Sequence, residues 1–142
     1  MQDDVLLYET DFWKVILIPN QAYLGRCIIS LNRDCGEMSE LTSEEWTDFH
    51  ENIVQNLEFA FREEFNATMF NWTCLMNNAF KSHNPEPHVH WHFRPRYREN
   101  ITVGGKTFRD SEFAHHYTKE RTRVVSKDVL EKIARKVKKV FR

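Results

Sequence analysis

Apolar positions recur along this chain with two different periods. Phe12-Trp13-Lys14-Val15-Ile16-Leu17-Ile18 is β-branched and aromatic and predicts a strand, which Pro19-Asn20 stops. Residues 26–31, 68–76 and 88–94 predict three more strands. Between the second and third strands the period lengthens. Thr42 and Glu45 form a capping-box pair, and Trp46, Phe49, Ile53, Leu57, Ala60 and Phe61 then recur at three- and four-residue steps. That pattern predicts one long amphipathic helix. Its other side, with Glu45, Asp48, Glu51, Glu58, Glu63 and Glu64, reads as a solvated face. Val103-Gly104-Gly105-Lys106, between Ile101 and Phe108, predicts a hairpin turn. Ser126 predicts the N-cap of a C-terminal helix with Val129, Ile133, Val137 and Val140 facing inward. Lys132, Arg135, Lys136, Lys138, Lys139 and Arg142 give that helix a basic side.

Composition narrows the reading. The chain of 142 residues suits one domain with a real core, and 41% hydrophobic content argues against disorder. The net charge of −1 hides a split: residues 1–87 hold 5 basic against 15 acidic side chains, and residues 88–142 hold 15 against 6. Such asymmetry directs attention to an anionic ligand, or to two faces that pair with each other. The four glycines, Gly25, Gly36, Gly104 and Gly105, can supply neither G-x-G-x-x-G nor G-x-x-x-x-G-K-[ST], so those phosphate loops are excluded. No apolar run reaches the roughly 20 residues of a membrane span, and Met1-Gln2-Asp3-Asp4 is unlike a secretory leader. Three cysteines without C-x-x-C spacing suit reduced thiols in a cytoplasmic protein.

The most chemically loaded stretch is His88-Val89-His90-Trp91-His92-Phe93-Arg94. Strand alternation directs His88, His90, His92 and Arg94 to one face and Val89, Trp91 and Phe93 into a core. Imidazoles spaced about 6–7 Å apart along one face are then fixed by a packed underside. Three chemistries use such an array. It can ligate a metal, or supply a nucleophile and phosphate contacts, or form a pH-sensitive surface. A cupin-like metal site would need a Glu soon after an H-x-H pair, and Glu99 follows His92 too late.

The same residues resemble the histidine triad (HIT) motif, His-φ-His-φ-His-φ-φ with φ apolar, except that Arg94 takes the last position. Gly25-Arg26-Cys27-Ile28-Ile29 resembles the family's Gly-His-φ-φ-φ strand, with Arg26 in place of His. Leu41-Thr42-Ser43-Glu44-Glu45 resembles its Leu-Thr-x-Glu-Glu helix start, and Asn77 stands eleven residues before His88, where the family often carries Asn. The resemblance implies an α+β meander: a five-stranded antiparallel sheet with one long helix, which in the family usually pairs into a ten-stranded dimeric sheet. Here a C-terminal helical extension is added, so residues 1–98 form the HIT-like domain and 99–142 an extension in the same globular unit.

The resemblance also implies a nucleotide hydrolase or nucleotidyl transferase acting at an α-phosphate, for instance of a dinucleoside polyphosphate. His90 would be the nucleophile, His92 would contact the phosphates and His88 would orient the site, without a cofactor. Asn77 would contact phosphate or its loop. Asn20 lies near where the family carries an Asn or Asp on the ribose hydroxyls. The family's Gly-Gln-Ser or Gly-Gln-Thr before the triad is replaced by His83-Asn84-Pro85. In this loop Asn84 could stand in for Gln, and His83 or Ser82 could protonate the leaving group. Arg94 could pair with a longer polyphosphate, and so could Arg96. The alternatives are a nucleotide-binding regulator with little turnover, or a metal protein using the triad. The expected partners are a nucleotide or dinucleotide and a second copy of the chain, with no membrane. The basic tail has no interleaved exposed aromatics, which argues against nucleic acid. His115-His116 reads as a surface or subunit contact, because adjacent strand residues face opposite sides.

Overall fold

The computed structural model describes residues 3–116 and 121–142; Met1 and Gln2 of the acidic N-terminus and residues 117–120 of the extension lie outside the described residues. Five strands, β1 (Val5–Glu9), β2 (Trp13–Leu17), β3 (Cys27–Leu31), β4 (Met69–Thr73) and β5 (His90–Arg96), form one antiparallel sheet of order β1-β2-β3-β5-β4. β1 has no counterpart in the periodicity. A register shift between Leu6 and Tyr8 breaks its alternation, so the period-two signal is lost over its five residues. The predicted hairpin forms from β6 (Ile101–Val103) and β7 (Lys106–Phe108), with Gly104 and Gly105 both at positive φ in the turn.

One helical run covers one face of the sheet. It comprises α1 (Ser43–Asp48), a π-helical segment (Phe49–Val54) and α2 (Gln55–Phe65). Both capping-box bonds form, Glu45 N to Thr42 Oγ1 at 3.1 Å and Thr42 N to Glu45 Oε1 at 2.8 Å. Glu45 is not on a solvated face as its position predicts. It is 2% exposed and paired with Arg33 at 2.7 Å, which holds its carboxyl down at about 2. Trp46, expected to face inward, is 38% exposed. Under the helix, Trp13, Val15, Leu17, Cys27, Ile29, Leu31, Val89 and Phe93 are buried against Phe49, Ile53, Leu57 and Phe61. Phe93 is the hub, with ring centroids 4.6 Å from Trp72, 5.5 Å from Phe61 and 5.6 Å from Phe70.

At the entry to β3, Gly25 has φ +89, and a Cβ there would overlap the ring of Phe61. Only glycine admits both the left-handed backbone and this approach to the helix. The extension returns to the sheet's other end. α3 (Lys127–Lys138), capped by Ser126, buries Val129, Leu130, Ile133, Ala134 and Val137 against β1, α2 and β6. Backbone bonds Gln21 N–Arg123 O (2.7 Å) and Val125 N–Pro19 O (3.1 Å) tie its approach to the β2–β3 connection. No helix of the described residues is long and apolar enough to cross a membrane.

Candidate functional site

The sheet face away from the helix collects the polar residues of alternate positions. Cross-strand registers align them in rows. Leu6, Ile16, Ile28, His92 and Thr73 form one row across all five strands. Glu9, Lys14, Ser30 and His90 form the next. A short apolar shelf from β1 to β3 therefore runs up to His92, and a polar row runs up to His90.

Backbone carbonyls fix two of the three imidazoles. His90 Nδ1 lies 2.8 Å from the carbonyl oxygen of His88. A carbonyl only accepts, so Nδ1 carries the proton of the neutral ring and Nε2 keeps its lone pair. His88 Nε2 donates in the same way to the carbonyl oxygen of Leu31 at 2.7 Å. This bond ties the approach to β5 onto the end of β3, because regular pairing starts only at His90. The His90 and His92 ring centroids are 5.2 Å apart and nearly perpendicular, at 74°. Burial, together with the charges of Arg94, His90 and Arg26, pushes the pKa of His92 down to about 4. His92 is therefore a neutral imidazole at physiological pH. Its Nδ1 and the Oγ1 of Thr73, its neighbour in the row, are both buried without a hydrogen-bond partner among the described residues. Buried polar atoms without partners are rare and mark sites that take up a ligand or water.

No family model matches the chain, and no curated protein does. Solved structures do. A histidine triad protein from Marinobacter aquaeolei VT8 superposes with a TM-score of 0.73 at 17% identity, over 99% of this chain and 90% of that one. This chain has the histidine-triad fold. A hypothetical histidine triad nucleotide-binding protein from Sulfolobus tokodaii strain 7 gives 0.69 at 14% identity, over 96% and 83%. A zinc-bound histidine triad family protein from Mycobacterium smegmatis gives 0.58 at 14%, over 94% and 84%. Among the described residues, no group of three or more His, Cys, Asp or Glu side chains is arranged to hold a metal ion.

Within the histidine-triad fold, the sequence-predicted residues fall into three groups. His88, His90, His92 and Arg94 line up along β5 and its approach, with Arg94 nearly buried. Asn77, His83 and Asn84 sit on the exposed connection from β4 to β5. Asn77 opens a 3-10 turn (Asn78–Lys81) without a side-chain cap bond, and Asn84 N donates to Ser82 Oγ at 3.2 Å. Asn20 is engaged elsewhere: its Oδ1 accepts from Ala22 N at 3.1 Å and Arg123 N at 3.0 Å, so it holds a turn and anchors the extension.

Arg96, which shares the parity of the histidines, is also committed to structure. It is fully buried, with Nε 2.6 Å from Asp110, further bonds to Asn71 Oδ1 and the carbonyls of Glu112 and His115, and the Tyr23 ring 5.0 Å away. Two residues of the face were not singled out from the sequence: Ser30 and Thr73. Their signal was parity in β3 and β4, which becomes readable only once the register with β5 is known.

Proposed function

We propose that this chain is a member of the histidine triad family that binds a nucleotide on the open face of its sheet and acts at the α-phosphate through His90. The reading rests on the hydrogen bond from His90 Nδ1 to the carbonyl oxygen of His88, which leaves the Nε2 lone pair free for attack. Nε2 forms a bond to the α-phosphorus. The bond from phosphorus to the leaving group breaks, and the leaving group departs with its electron pair and takes up a proton. Water or another acceptor then attacks the phosphorus of the nucleotidyl-histidine, and the phosphorus–nitrogen bond returns its electrons to Nε2. His92, neutral beside the reacting group, contacts the phosphate oxygens, and His88 holds the strand end that presents His90. The shelf of Leu6, Ile16 and Ile28 suits the flat apolar surface of a base or ribose.

The same reading takes residues 1–98 as the triad domain and 99–142 as an extension of one globular unit. It makes the protein a cytoplasmic homodimer. The nucleotide-binding description of the Sulfolobus tokodaii neighbour is consistent with the ligand class. A second reading, nucleotide binding with little turnover, is favoured by the loop before the triad, where Ser82, His83 and Asn84 are all exposed. Intact-mass measurement with a slow nucleotidyl donor separates the two. The enzyme reading expects a nucleotidyl adduct on the wild-type chain and none on His90→Ala. Nucleotide-dependent thermal stabilisation with neither adduct nor turnover selects the binding reading. Full turnover by His90→Ala overturns the assignment of the nucleophile.

A further inference from the structure

A neutral imidazole carries one N–H, and the groups facing its two nitrogens decide which one holds it. For His90 the carbonyl of His88 decides: it only accepts, so the proton is on Nδ1 and the lone pair on Nε2. His92 Nδ1 has no partner of that kind among the described residues, and it is the nitrogen closed off from solvent. Nε2 is therefore the nitrogen left to meet a ligand on the open face.

The row across the sheet supplies what Nδ1 lacks. On the β3 side His92 stands opposite Ile28, which has no polar side-chain atom. On the β4 side it stands opposite Thr73, whose Oγ1 is also buried without a hydrogen-bond partner among the described residues. Residues directly opposite in an antiparallel pair have Cβ atoms about 4.5–5.5 Å apart. His90 and Arg94, the neighbours along β5 on this face, are about 6–7 Å away along the strand. Ser30, the other hydroxyl of the face, stands opposite His90 in the next row. A hydroxyl has a proton to give, and an imidazole nitrogen has a lone pair to receive it, so the two orphaned groups satisfy each other. Thr73 Oγ1 meets Nδ1 by rotation about Cα–Cβ or across one bridging water. Either way Nδ1 accepts, and the single proton of the ring is on Nε2. Burial and the charges of Arg94, His90 and Arg26 keep a second proton off the ring.

Phosphate chemistry needs this asymmetry. Phosphoryl oxygens accept, so an imidazole that holds one must present an N–H, whereas a nucleophile must present a lone pair. Two rings 5.2 Å apart by centroid serve both ends only as opposite tautomers. Resting on the nucleotide reading above, we propose that Thr73 is a positioning residue that fixes His92 as the Nε2–H tautomer, so that His92 donates to a phosphate oxygen while His90 turns its Nε2 lone pair to phosphorus.

The test begins without ligand. Long-range proton–nitrogen correlation spectra of the nitrogen-15-labelled full chain at neutral pH report which nitrogen of each ring is protonated, with His90→Gln and His92→Gln assigning the rings. The wild-type chain is expected to show His90 as Nδ1–H and His92 as Nε2–H, with His92 Nδ1 at the shift of a lone pair that accepts a hydrogen bond. Thr73→Val removes the hydroxyl with little change of shape. It should move that resonance downfield toward a bare lone pair, or admit the Nδ1–H form. Thr73→Ser should keep the wild-type signature, and Ser30→Ala should leave His92 unchanged. A wild-type His92 protonated on Nδ1 overturns the proposal, and so does an unaltered His92 in Thr73→Val. Folding of Thr73→Val is checked by circular dichroism; if it does not fold, Thr73→Ala takes its place.

Reaction rates give a second readout. With a slow adenylate donor, Thr73→Val should form the His90 adduct about tenfold more slowly, the effect of weakening one hydrogen bond to an anion. Thr73→Ser should recover the rate, and wild-type speed in Thr73→Val overturns the proposal. Absence of any adduct on the wild-type chain overturns the reading of the chemistry instead, and the spectra alone then decide the bond between Thr73 and His92.

Discussion

The two faces of β5 are built from alternate residues of one seven-residue strand, yet they answer to different physics. On one side Trp91 and Phe93 pack against Phe49, Phe61 and Trp72 at centroid distances of 4.6–5.5 Å. On the other, His90, His92 and Arg94 stand among Ser30, Thr73 and Asn71. The packed side derives its stability from apolar area removed from water. The open side adds a desolvated imidazole, His92, whose burial is a cost to folding. The difference teaches that position on this strand, more than residue type, separates stability from chemistry. Arg96 has the parity of the open face but, through Asp110, acts as part of the frame.

The comparison breaks most readily on the packed side. Phe93→Ala is expected to destabilise the chain by about 3–5 kcal/mol, the usual result of emptying a buried aromatic site. It should leave any nucleotidyl adduct per folded molecule intact, as read by denaturant titration beside intact mass. An adduct lost at full folded population would mean that the faces are not separable. Thr42→Ala removes one of the two capping-box bonds of the covering helix and should cost about 1 kcal/mol, again without touching ligand binding.

The effect expected on the open side depends on pH. His92 titrates at about 4 when folded, below its ordinary 6.5, so the unfolded chain binds more protons in between. Stability is fully present above pH 6.5 and falls as pH drops toward 4. His92→Gln should flatten that part of the profile of Tm against pH, and an unchanged slope would place the titrating group elsewhere. Glu45 acts at still lower pH. Its depressed carboxyl contributes stability above about 4.5 that is lost as pH falls toward 2, an effect reduced by salt because Arg33 is half in solvent.

Much of the fold was legible where local chemistry and tertiary packing agree. The Thr42–Glu45 capping box, the alternation around His90 and the Gly104-Gly105 turn each carry their own instruction. β1 was illegible because its bulge erases the alternation. Glu45 was misread because its partner, Arg33, lies on the preceding loop and not on the helix. Within the candidate site, the alternation of the histidines was readable, but the rows they join were not. The proximity of Arg26, Thr73 and Ser30 to the triad depends on strand registers between segments up to about sixty residues apart. Asn20 shows the converse. The family resemblance suggested ligand contact, yet Arg123, more than a hundred residues later, donates to its side-chain oxygen.

Gly25 joins the two faces. Its missing side chain lets the Phe61 ring press directly on the backbone that leads into Arg26 and β3. An interior ring and the half-buried Arg26 are thus neighbours through a single bare residue. The interior cannot drift freely in sequence at Phe61: a change of ring size or tilt there would press on the backbone entering β3, the strand that carries Ile28 and Ser30 of the open face.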